Sequence, residues 1–126
     1  NNPRVIIIQK LYGKIFNQDE KILFPKHRFK KFIKDIVEGS IERKEVIDDE
    51  IKKHLSKDLN LRKVDKVFQV IIQSAIFEML HKEKTPRKVI IKEYLVASNF
   101  FLSESQTKYL NAILDKISKE IRISNA

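Results

Sequence analysis

The sequence has no cysteine, no tryptophan, two glycines and three prolines in 126 residues. Without cysteine there is no disulfide framework, no thiolate zinc site and no cysteine nucleophile, so redox chemistry does not give the compartment and the cytoplasm is only the default expectation. Gly13 and Gly39 alone cannot build a loop that cradles phosphate. The longest mostly apolar stretch, Val67 to Leu80, is broken by Gln69, Gln73, Ser74 and Glu78. It falls short of the ~20 apolar residues of a membrane span and reads as a core helix. Val5 to Ile8 is a short apolar run with no small-residue cleavage pattern behind it, so neither signal peptide nor membrane anchor is expected. No serine or threonine stands in a nucleophile elbow. His27, His54 and His81 fall in three different segments without ligand spacing. Asp48, Asp49 and Glu50 sit early in a helix, where carboxylates compensate the helix dipole more often than they bind cations. No enzyme, metal site or cofactor is expected.

What is present is charge. A formal +9 and a pI near 9.7 favour a polyanionic partner, because cations that neutralise phosphates release counterions. Only six of the 26 basic residues are arginine, and charge alone does not separate nucleic-acid binding from a lysine-rich composition. The scarcity of breakers and of two-residue alternation predicts an all-helical single domain over 1–126.

The first helix is expected from about Arg4 to Asn17, with Ile8, Leu11, Tyr12, Ile15 and Phe16 inward and Gly13 weakening it. Pro25 is expected in the first turn of a second helix, with Phe29, Phe32, Ile33, Ile36 and Val37 inward and a lysine-rich outer face. Ile47, Ile51 and Leu55 suggest a third. The fourth, about Val64 to Lys82, is apolar nearly all round and therefore central. Thr85-Pro86 opens a fifth, reaching about Asn99. Ser103 and Gln106 form a capping box for the last. There Leu110, Ile113, Leu114, Ile117 and Ile121 make an inward stripe, with Tyr109 and Asn111 at its two edges and Lys108 outward.

The basic run Lys26 to Lys34 places its aromatics on the inward stripe, so its cations read as solvated. The better binding surface is the region of Phe100, Phe101, Ser103, Ser105, Lys108 and Tyr109, where a loop meets a helix start. A cation there can hold phosphate, and an exposed aromatic can stack on an unpaired base.

The stretch Pro86 to Lys116 resembles the end of the NusB family of transcription antitermination factors. The matching elements are Pro86, Val89-Ile-Ile-Lys-Glu93, Phe101, and Lys108-Tyr-Leu-Asn-Ala-Ile-Leu-Asp-Lys116. Val64 to Leu80 looks like the family's preceding core helix, and Gln9-Lys-Leu-Tyr12 is similar to its N-terminal Q-A-L-Y. The resemblance implies an all-α, compact fold of about six or seven helices in two small perpendicular bundles. It implies binding of boxA-type single-stranded RNA with the small-subunit ribosomal protein called NusE, in complexes that reach other elongation factors and RNA polymerase indirectly. A monomer or weak homodimer is expected. Carried over residue by residue, Arg4, His54, Lys57, Phe101, Ser105, Lys108 and Tyr109 face RNA, with Ser56 beside them. Tyr12 and Asp65 face the ribosomal protein, and Asn111 is a structural hydrogen-bonding residue.

The departures are specific. The family's N-terminal arginine-rich segment is represented by Arg4 alone, so either the sequence begins after that segment or the RNA contact is weaker. Lys92 replaces an Asn, Ala112 a Gly, and Leu102 a loop Gly that would tolerate positive φ. Gln69 and Gln73 stand where many members carry Arg. Two other readings stay open: the RNA-positioning domain of a ribosomal RNA methyltransferase, and a helical protein-interaction module without RNA affinity.

Overall fold

A computed structural model describes residues 2–54 and 65–124. The described residues form six helices: α1 Pro3–Phe16, α2 Lys30–Glu42, α3 Lys44–His54, α4 Lys66–His81, α5 Arg87–Ser98 and α6 Glu104–Ser124. Leu55, Ser56, Lys57 and Val64, named above, lie outside the described residues.

Asn2 starts α1, its side-chain oxygen accepting the Arg4 backbone N–H at 2.9 Å, with Pro3 supplying a preset φ. The β-branched run Val5 to Ile8 is helical because Ile7 and Ile8 are fully buried there, and packing overrides a weak local preference. The inward face of α1 is Ile7, Ile8 and Leu11. Tyr12 and Phe16 do not belong to it: they pair edge to face at 5.0 Å on an exposed flank.

The second helix begins later than Pro25 suggests. The His27 ring accepts the Phe29 backbone N–H at 2.9 Å and the His27 carbonyl accepts that of Lys30, so a local turn takes the backbone groups a helix would need. Phe29 thus sits at the helix boundary, 45% exposed, and the buried set is Ile33, Ile36 and Val37 with Phe32 half-buried. Gly39 lets α2 approach α4, since a Cβ there would stand 2.1 Å from the Phe77 ring.

Helix α4 is the hub, packing on each of the other five. Asp65 caps it, accepting the Phe68 backbone N–H at 3.0 Å. At the fifth helix Pro86, and not Thr85, occupies the capping position, so the helix begins one residue later than expected, and the Pro86 carbonyl accepts from Val89 and Ile90. The turn from α5 to α6 uses no positive φ, so Leu102 fits without a glycine and is buried. The capping box of α6 forms in both directions: Gln106 Oε1 accepts the Ser103 backbone N–H at 2.9 Å, and Ser103 Oγ accepts that of Gln106 at 3.3 Å. All five residues of the α6 stripe are buried. At about 1.5–3 kcal/mol for each large aliphatic side chain, that stripe is a main anchor of the fold.

Candidate RNA interface

Helices α4 and α6 run side by side in the same sense. Asp65, at the start of α4, accepts from Gln106 at the start of α6 at 3.3 Å. At the other end Arg122 donates to the carbonyls of Met79 at 3.0 Å and of Lys82 and Glu83 at 3.3 Å. The shared start of the two helices carries the aromatic and basic groups. Tyr109 stacks on Phe68 with ring centres 5.8 Å apart and planes 24° from parallel, yet stays 45% exposed. Phe68 is itself buried, so it fixes the tyrosine ring as a platform. One residue earlier, the Lys108 side chain is 78% exposed, and its contact with Glu104 at 3.7 Å joins two solvated groups. Such exposed pairs contribute little and yield readily to a phosphate. Ser105 is exposed with its hydroxyl 3.3 Å from that of Ser103, and Phe101 is half-buried against the core.

Two expected RNA residues are committed elsewhere. Arg4 forms a two-pronged ion pair with buried Glu78, Nε to Oε2 at 3.0 Å and Nη2 to Oε1 at 2.7 Å. Its guanidinium also lies over the rings of Phe32 and Tyr94 at 5.1 and 5.4 Å, and its side chain is 11% exposed. Burial pulls the Arg4 pKa down, but the Glu78 hydrogen bond and charge outweigh it and leave it raised. Burial, reinforced by the Glu78 charge, pushes the Tyr94 hydroxyl well above its ordinary value. Arg4 therefore holds α1 to the core through Glu78. His54 closes α3 onto α6, one ring nitrogen 3.0 Å from Glu50 and the other 2.5 Å from Glu120. Both ring nitrogens are thus engaged by carboxylates, and its side chain is 15% exposed.

The proposed partner residues fall into separate settings. Asp65 adjoins the Gln106 and Phe68 cluster, whereas Tyr12 lies on the α1 flank with Phe16. Asn111 is exposed and makes no side-chain hydrogen bond among the described residues, so it is not the structural bonding residue expected of it. Sequence periodicity missed Phe68 as the ring behind Tyr109, Glu78 as the acceptor for Arg4, and Arg122 as the clamp on α4. The one available signal was Glu78, a carboxylate inside an otherwise apolar helix. Among the described residues there is no cluster fit to hold a metal ion, and no helix is long and apolar enough to cross a membrane.

The fold and this surface define an all-helical domain with an exposed aromatic and cation at a capped helix start. The NusB family model matches residues 2–119, and the chain belongs to the NusB family. The transcription antitermination protein NusB of Coxiella burnetii is 36% identical over 91 residues, which are 72% of this chain and 64% of that protein. The NusB of Allorhizobium ampelinum is 33% identical over 92 residues, 73% of this chain and 58% of that protein. The chain thus spans about three fifths of the length of these relatives. A solved structure of T. maritima NusB superposes with a TM-score of 0.81 at 25% identity, over 95% of this chain and 92% of that one. A structure of NusB and NusE in complex with double-stranded RNA has a TM-score of 0.74 at 16% identity, over 94% and 95% of the two chains, a likeness of fold.

Proposed function

We propose that this chain is a single-domain, non-catalytic antitermination adaptor of the cytoplasm that binds boxA-like single-stranded RNA over the start of α6. A base stacks on Tyr109, a phosphate meets Lys108, and Ser105 and Phe101 line the approach. The small-subunit ribosomal protein NusE binds alongside, at Tyr12 and Asp65, and through it other elongation factors and RNA polymerase are reached. The observation that carries this reading is the exposed Tyr109 ring, backed by buried Phe68 and adjoining a cation that no strong ion pair holds.

The test is the affinity of the chain for a boxA-like RNA and a scrambled control at two salt concentrations, with and without NusE. A matched-over-scrambled preference that survives added salt and grows with NusE supports the reading. Lys108→Glu with Tyr109→Ala should then lower RNA affinity by about 1–3 kcal/mol, a stacking plus a phosphate contact, with helicity unchanged. Equal, salt-erased binding of both RNAs would sink it.

A further inference from the structure

Helix α6 has a second edge, opposite Tyr109, where Asn111 faces α5 across a 410 Å³ groove. Its floor is apolar, made by buried Ile91 and half-buried Leu95, and Val96, 46% exposed, stands at its lip. Lys88 and Lys92 line the same groove, both exposed, and neither pairs with a carboxylate among the described residues. The lining carboxylate, Asp115, is already neutralised by Lys119 at 3.0 Å and Arg87 at 3.2 Å, which hold it below the usual carboxylate range. Asn99 and Asn111 bring two side-chain amides to the groove, neither bonded within the described residues. Beyond Asn99 the chain turns through Phe100, 71% exposed, and enters the start of α6 on which Ser105 and Tyr109 lie.

We propose that the α5–α6 groove is a second subsite for single-stranded RNA, receiving the nucleotides that pass over the start of α6 from Tyr109. A base lies on Ile91, Leu95 and Val96 with its polar edge at the amides of Asn99 and Asn111. Its phosphates are met by Lys88 and Lys92, and Phe100 gives a stacking face where the strand crosses. The inference rests on the RNA reading of Lys108 and Tyr109 and extends it. Unpaired cations beside amides that can donate and accept fit a nucleotide, since single strands are recognised by base edges and stacking together.

The experiment compares boxA-like RNAs of about 6 and about 12 nucleotides, within the range one small domain covers, by fluorescence anisotropy. The wild-type chain is set against Lys92→Gln/Val96→Gln and Asn111→Ala, all at exposed positions where the new residue suits a helix. The wild type should bind the longer RNA about tenfold more tightly than the shorter, from a further base and phosphate contact. The Lys92/Val96 variant should lose that gain, Asn111→Ala should lose part of it, and both should bind the shorter RNA as the wild type does. Variants that keep the gain, or that lose affinity equally for both lengths, overturn the subsite. Loss of NusE binding with RNA binding intact would overturn it in favour of a protein dock. A wild-type chain that binds neither RNA would instead fail the parent reading, and is recognised without any variant.

Discussion

The two ends of α4 use the same kind of residue in opposite ways. At its far end cations are spent on structure: Glu78 accepts both prongs of Arg4, and Arg122 spreads its guanidinium over the carbonyls of Met79, Lys82 and Glu83. At its start the charge remains on offer, with Lys108 78% exposed beside a tyrosine held by Phe68. Arginine suits the first task because its planar fork satisfies several acceptors at once, and lysine suits the second because its solvated amine can change partners. A net charge of +9 says that cations are numerous, and only their hydrogen-bond partners say which of them remain available to an outside anion.

The sharpest way to break this contrast is Arg4→Ala. It leaves the Glu78 carboxylate buried without a counter-charge, and the expected loss is about 3–5 kcal/mol in urea or thermal unfolding. Replacing both partners, Arg4→Met with Glu78→Leu, should recover most of that, because a buried pair is costlier to break than to remove. RNA affinity of the folded double variant should match the wild type. A double variant that folds well and binds RNA poorly would return Arg4 to the interface. Next in size is Arg122→Ala, which strips three donors from the carbonyls at the end of α4 and should cost about 1–3 kcal/mol. Arg122→Lys should restore only part, since one ammonium cannot span the three acceptors. Full rescue by lysine would mean that charge near the helix end matters, and the fork does not.

The sequence revealed most of the scaffold because the stripes of α4 and α6 are regular and α6 carries a complete capping box. It was less informative wherever a local bond competes with periodicity. The His27 ring turns the chain before α2, so Pro25 marks no helix start. Tyr12 and Phe16 lie just off the buried arc of α1 and find each other instead of the core. The exposure of Tyr109 followed from its place at the edge of the α6 stripe, and that of Lys108 from its outward position. The fates of Arg4 and His54 depended on Glu78 and Glu120, carboxylates distant in sequence, which no spacing rule connects to them.

The smallest expected effect separates two uses of one side chain at the start of α4. Asp65 caps the helix through one oxygen and accepts from Gln106 through the other, and it is also a proposed contact for NusE. Asp65→Ala should cost about 1 kcal/mol of stability through the lost cap. Asp65→Asn keeps a capping oxygen and discards the charge, so its stability should stay within a few tenths of a kcal/mol of the wild type. If the carboxylate also serves the partner, NusE affinity falls severalfold in the asparagine variant despite its intact fold. If NusE binding instead follows stability, weakening in the alanine variant and not in the asparagine one, Asp65 acts only as the cap that seats Phe68 beneath Tyr109. The start of α4 would then offer its chemistry to RNA alone.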